Sequence, residues 1–415
     1  FLGVSIFFVL SGYLITDLLL FEWFSKRRIN LRAFWLRRFK RLLPAMLLVI
    51  VAVLIWVSMS HQNQLFESRG LILATLFYVS NWWLIFHQVS YFEQFGLSNP
   101  LGHFWSLGIE EQFYLLWPFL LIIVLKWVKR KSAIVTFIGI GVVLSALTMA
   151  FIYRNGLDPS RVYYGTDTRV FSLLIGAAVA FLLPSFKIAQ KRAPNITHWL
   201  NDVAAGAFVA LLALMGTWNA YTSYLYHGGM LVISALTALV IAAIVHPTNW
   251  LGRVLSLAPL RWLGKRSYGI YLWHYPIIVL TSPVVNTGDF DWGRSLLQVV
   301  MCLILADLSW RFVEKPILQG KFFVPLKEFA YQHLPKRFSL IAGAVVIITL
   351  ACLSVSVAAT NDDSSQTEIS EHPIELTKAS IENVHKKSIH EASNGNNKEE
   401  KTQGKPARSN DAPVT

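Results

Sequence analysis

Apolar blocks of about 16–22 residues recur along most of this chain, separated by short polar stretches. A helix of that length crosses about 30 Å of hydrocarbon, and it closes its own backbone hydrogen bonds where water cannot. No segment alternates apolar and polar residues as a membrane barrel strand must. The sequence therefore predicts an all-α fold, a polytopic integral membrane helical bundle.

Charge gives the expected topology. Lys and Arg number 37 against 24 Asp and Glu, a formal charge of +13. In a soluble chain this balance would suggest nucleic acid, but here the cations cluster between the apolar blocks. The positive-inside rule and anionic inner-leaflet lipid account for most of them, so lipid is the expected partner and nucleic acid is not. The basic stretches 21–41, 126–131, 187–192, 253–266 and 315–337 are expected inside. Spans at 133–153 and 169–183, 203–219 and 229–246, and 267–283 and 294–313 satisfy even crossing between them. Three apolar runs, 42–60, 71–87 and 111–125, lie between Arg41 and Lys126, so one of them does not cross. The run 71–87 carries Asn81 and His87 and leads into a polar stretch, which makes 61–110 the expected re-entrant segment. With 1–20 and 338–359 the expectation is about ten spans plus this segment. The domains read as 1–337, a membrane domain; 338–359, an additional span; and 360–415, a disordered, outward-facing tail low in apolar periodicity. Phe1 already lies in an apolar run, so a longer protein is expected on that side, and the tail implies a tethered domain after Thr415. Cys302 and Cys352 sit singly in apolar runs, and neither a disulfide framework nor a metal site is encoded.

Polar residues within the apolar blocks are the candidates for chemistry. In His103-Phe-Trp-Ser-Leu-Gly-Ile-Glu110-Glu111-Gln112-Phe-Tyr114, two carboxylates adjoin a span. They read either as a charged cap on a helix N-terminus or as functional groups, since ionisable residues at membrane depth are costly. Spacing puts Glu110 and Tyr114 on one face and turns Glu111 away. In Tyr163-Tyr164-Gly-Thr-Asp167-Thr-Arg169, the Asp and Arg read as a surface ion pair or as part of a site. In Ser267-Tyr268-Gly-Ile-Tyr271-Leu-Trp-His274-Tyr275-Pro276, the aromatic residues suit an interfacial belt, but His274 lies deeper. It reads as a general base or as a structural histidine. Arg38 and Arg41, with Arg37, are either a positive-inside anchor or guanidinium forks for the phosphates of a nucleotide-bearing donor. There is no G-x-S-x-G elbow and no phosphate-cradling glycine loop.

These motifs, with Phe1-Leu-Gly-Val-Ser-Ile-Phe-Phe-Val-Leu-Ser11-Gly12-Tyr at the start and Arg311-Phe-Val-Glu314-Lys-Pro316 at the end, resemble in order the membrane acyltransferase 3 family over about residues 1–320. Within it the chain is similar to the membrane part of Gram-positive peptidoglycan O-acetyltransferases, whose first helix and extracellular SGNH-type domain would lie outside this sequence. The resemblance implies an O-acetyltransferase that passes an acetyl group from cytoplasmic acetyl-CoA, as donor substrate and with no bound cofactor, to a cell-envelope glycan. It implies a multi-pass cell-membrane location with the tail outside. Catalytic roles fall on Glu110, Tyr114, His274 and Tyr164, donor binding on Arg38 and Arg41, and supporting roles on His103, Glu111, Asp167, Arg169, Tyr268 and Glu314. Tyr114 and Tyr164 are alternative transient acetyl acceptors. Acylation of another polysaccharide, and export of a sugar or lipid intermediate, remain as rival readings. An exporter predicts an internal repeat, which the chain lacks.

Overall fold

The structure, a computed structural model, describes residues 2–60, 62–92, 99–188, 197–219, 221–246, 249–282 and 291–320. Among the described residues all regular structure is helical. Helices α1 (Gly3–Lys26), α2 (Leu31–Ser60), α3 (Gln62–Leu76) and α4 (Ser80–Phe86) lead to α5 (Trp105–Trp127). Then come α6 (Lys131–Ile152), the short α7 (Ser160–Tyr164), α8 (Thr166–Leu182), α9 (Ser185–Ile188) and α10 (Thr197–Thr217). The order ends with α11 (Met230–Ile244), α12 (Trp250–Leu255), α13 (Ala258–Thr281), α14 (Trp292–Ser309) and α15 (Lys315–Leu318).

Among the described residues, seven helical segments are long and apolar enough to cross a membrane: those built on α1, α2, α5, α6, α8, α11 and α14. The expected spans at 203–219 and 267–283 correspond to α10 and α13. The expected span 338–359 and tail 360–415 lie outside the described residues. No single helix covers 71–87. The chain breaks at Phe77-Tyr78-Val79, with Tyr78 in the left-handed region at φ 57°, a conformation uncommon for a bulky side chain.

Residue placement on α1 is that of a protein in lipid. Ser5, Ser11 and Thr16 are buried, while Phe7, Leu10, Leu14 and Phe21 are exposed. Hydrocarbon accepts the outer apolar face, and hydroxyls serve the helix contacts within. The bundle is a multi-pass membrane protein. α1 packs most closely on α8. A Cβ on Gly12 would overlap the backbone carbonyl of Leu173, and one on Gly176 would overlap that of Val9, so the two glycines permit an approach that side chains would block.

Local signals explain the remaining boundaries. Arg27 takes a left-handed conformation (φ 54°) to end α1. Asn30 accepts from the Ala33 N–H at 3.0 Å to cap α2. Arg37 to Pro44 lie inside α2, which starts earlier, at Leu31. Likewise α13 begins at Ala258, so Arg261, Lys265 and Arg266 ride on the helix that carries His274.

Candidate functional site

A column of polar side chains runs down one stripe of α5 and is closed by α1, α2 and α13. Helical repeat places Ser106, Glu110, Tyr114 and Trp117 roughly above one another. All four are buried, with Glu110 2 % exposed. α5 begins at Trp105, so Glu110 and Glu111 lie beyond its first turn. The charged-cap reading therefore fails, since the macrodipole acts within that first turn.

Tyr114 is the centre of the column. Its hydroxyl donates to Glu110 Oε1 at 3.3 Å. The Ser11 hydroxyl of α1 makes a short contact with the same phenol oxygen. The Arg38 guanidinium lies 5.7 Å from the Tyr114 ring centroid, within cation–π range. Trp35 of α2 donates to the Tyr114 backbone carbonyl at 3.2 Å, and Trp117 donates to Thr16 at 2.9 Å. Arg38 is partly buried here, whereas Arg41 is exposed. Glu111 is buried too, near Arg38, with Oε1 unpaired by any hydrogen bond.

Above Glu110 the column continues into an aromatic cluster. Tyr271 donates to the backbone carbonyl of His103 at 2.7 Å, and the Ser106 hydroxyl contacts its oxygen. The His103 ring lies 5.6 Å from His274 and 5.2 Å from Tyr275. His274 Nδ1 hydrogen-bonds the Tyr271 backbone carbonyl at 2.6 Å. His103 and His274 thus share one cluster, a relation their separation in sequence conceals. His274 sits well inside α13, about four turns from its start. Below the column, Tyr268 donates to the Leu42 carbonyl at 2.7 Å, tying α13 to α2. Glu314 is 2 % exposed in a π-helical turn (Trp310–Glu314) and accepts from Ser309 at 3.2 Å. Nearby, Asp307 binds both Arg266 at 2.5 Å and Arg311 at 2.6 Å.

The pair expected of Asp167 and Arg169 does not form. α8 begins at Thr166, and residues two apart on a helix do not face each other. Asp167 instead takes both guanidinium nitrogens of Arg161, at 2.9 and 3.1 Å. Arg169 is fully buried, donating to Ser5 at 3.0 Å and lying 5.0 Å from the Tyr163 ring centroid. Its partners are the Ser5 hydroxyl, the Met230 sulfur and the ring faces of Phe8 and Tyr163, which suits a cation locking α1 to α8.

Tyr164 packs against Trp105 and Tyr91 on α7. Burial pushes its phenol above the ordinary tyrosine range. Its backbone carbonyl receives Asn81 Nδ2 at 3.1 Å, and Asn81 also donates to Thr166 at 2.9 Å. Gln112 closes this node by donating to Asn81 Oδ1 at 3.0 Å and to the Tyr78 carbonyl at 2.9 Å. The sequence marks Asn81 only as a polar residue in an apolar run, and carries Ser11, Ser106, Gln112 and Tyr271 inside its motifs without marking them as site residues. The available signal was a hydroxyl or amide inside a span, which commonly marks a helix contact. A separate cavity of about 340 Å³, lined by Gln112, Trp117, Phe137, Ile138, Thr166 and Leu174, reaches the column only at Trp117. Among the described residues no cluster of three or more His, Cys, Asp or Glu could hold a metal ion.

Residues 1–311 match the model of a family, acyltransferase 3, described as an acyltransferase domain. The chain is similar to the peptidoglycan O-acetyltransferase OatA of Listeria monocytogenes, 44% identical over 89% of this chain and 61% of the relative. It is also similar to the O-acetyltransferase OatA of Staphylococcus aureus, 39% identical over 86% of this chain and 58% of the relative. The chain thus spans about three fifths of the length of these relatives. No solved structure matches it.

Proposed function

The chain belongs to the acyltransferase 3 family, and from that premise we propose that it is the membrane part of an O-acetyltransferase carrying acetyl from acetyl-CoA to a cell-envelope glycan, most naturally peptidoglycan. The single observation that carries the mechanism is the environment of the Tyr114 hydroxyl. Its proton points at a carboxylate, Glu110, and its oxygen meets a second hydroxyl, Ser11. Tyr271, by contrast, spends its proton on a backbone carbonyl, which cannot take it. Tyr164 has no carboxylate hydrogen-bonded to it among the described residues. Of these three phenols Tyr114 is the one equipped as a nucleophile.

The donor docks with its phosphates at Arg41 and Arg38, and the thioester enters toward Tyr114. Glu110 takes the phenol proton as the Tyr114 oxygen bonds to the acetyl carbonyl carbon. The carbon–sulfur bond breaks, and the thiolate recovers the proton from Glu110 to leave as coenzyme A. In the second half, an acceptor hydroxyl attacks the phenyl acetate and its proton returns to the Tyr114 oxygen. His103 and His274 stand on the far side of Glu110, where a hydroxyl acceptor would approach. The positive-inside distribution puts Arg38 and Arg41 in the cytoplasm and the tail outside. The resemblance implies delivery to glycan through an SGNH-type partner.

The test is incubation of the protein in nanodiscs with isotopically labelled acetyl-CoA, followed by peptide mass analysis. Coenzyme A release with label on the peptide containing Tyr114, lost in Tyr114→Phe, is expected. Label confined to another residue, with Tyr114→Phe unaffected, overturns the assignment.

A further inference from the structure

Counting protons at the Tyr114 oxygen shows what Ser11 does. A tyrosine hydroxyl has one hydrogen to donate, and that of Tyr114 goes to Glu110 Oε1. Either oxygen of the short Ser11–Tyr114 contact can donate, and with the Tyr114 hydrogen on Glu110 it is the serine hydrogen that occupies it. Resting on the proposed role of Tyr114, we infer that Ser11 is a positioning residue that donates into the Tyr114 oxygen and holds the phenoxide formed when Glu110 takes the proton. No covalent bond to Ser11 is made or broken.

The geometry favours such a duty. Ser11 is buried, 5 % exposed, on a span whose outer face is apolar, so no water competes for the phenoxide. Its position is held by the next residue. Gly12 lets α1 rest on the backbone of α8 at Leu173, which sets the face that α1 turns toward α5. A donor held in place before charge develops needs little reorganisation when it does, the condition under which one hydrogen bond matters most. The same donor assists the second half, because the phenoxide is then the leaving group. Ser106 offers the same contact to Tyr271, but there the phenol hydrogen lies on the His103 carbonyl and no base can release it. The Ser11 pair is therefore set apart by Glu110.

The experiment compares Ser11→Ala, Ser11→Thr and Ser11→Cys in nanodiscs, reading labelled acetyl uptake at the Tyr114 peptide as a function of acetyl-CoA concentration. Ser11→Ala should lower the maximal rate by about 10²-fold, the scale of one lost oxyanion donor, with the half-saturating donor concentration unchanged. Ser11→Thr, which keeps the donor, should recover most of it. Ser11→Cys keeps the volume with a weak donor and should stay slow, which preserves the test if alanine fails to fold. An unchanged maximal rate in folded Ser11→Ala, or a change only in half-saturation, overturns the inference. So does Ser11→Cys matching the parent. If Tyr114→Phe is silent while Ser11→Ala is normal, only the Ser11 role is lost. If Tyr114→Phe still takes up label, the Tyr114 reading falls and this inference with it.

Discussion

Gly12 and Gly176 form a reciprocal contact, each lying where any Cβ would overlap the opposing backbone, at Leu173 and Val9 respectively. Ser11 precedes one of these glycines, so the seam between α1 and α8 and the hydroxyl at Tyr114 are adjacent parts of one helix. Overpacking a fitted interface costs about 1–3 kcal/mol, and backbone cannot rotate away as a side chain can. Gly176→Val should lower the thermal midpoint of the detergent-solubilised protein by several degrees and reduce acetyl transfer at temperatures where it is still folded. A variant as stable and as active as the parent would show that the helices are farther apart.

Glu110 and Glu111 should separate on mutation although both are buried. Glu110→Gln keeps the shape but removes the proton acceptor of Tyr114, so acetyl transfer should fall by about 10²-fold or more. Glu111→Gln touches neither hydroxyl and should cost much less. Measured at equal membrane levels, equal losses in the two variants would exclude the Tyr114–Glu110 pair as the reacting unit.

Arg38 and Arg41 should differ in kind. Arg41 is exposed and Arg38 approaches the Tyr114 ring at 5.7 Å. Arg41→Glu should raise the acetyl-CoA concentration needed for half-maximal rate and leave the maximal rate near that of the parent. Arg38→Glu should damage both. Donor titration of the two variants checks this, and unchanged half-saturation in both would leave only the anchoring role.

Asn81 joins α4 to α5, α7 and α8 through three groups, Gln112, the Tyr164 carbonyl and Thr166. Asn81→Ala strands the carbonyl of the buried Tyr164 and removes one bond each from Gln112 and Thr166, which still pair with each other; a buried group so stranded costs about 1–3 kcal/mol. The variant should lose thermal stability. A midpoint unchanged from the parent would mean that water replaces the amide.

Asn99 reports the topology of the segment around the Tyr78 break. A cysteine placed there should react with an impermeant thiol reagent from outside intact cells. Reaction only after permeabilisation would make 71–87 a crossing and invert the assignment of the loops that follow.

Helices, their apolar faces and the family were legible in the sequence because each depends on neighbours along the chain. A block of about 20 apolar residues specifies a span wherever it lands, and the period of 3.6 puts Glu110 and Tyr114 together without reference to another helix. Helix starts were read less well. The start of α5 at Trp105 removed the cap reading of Glu110, and the start of α8 at Thr166 gave Asp167 to Arg161 instead of Arg169. That exchange follows from helix geometry once the boundary is known. What no local pattern carries is which polar groups meet across helices. Ser11 and Tyr114 are 103 residues apart and Ser106 and Tyr271 are 165 apart. In lipid an apolar face does not dictate its partner, because hydrocarbon satisfies it equally well. Close backbone approach at small residues and the pairing of buried polar groups choose the neighbours, and both exist only once the helices are packed.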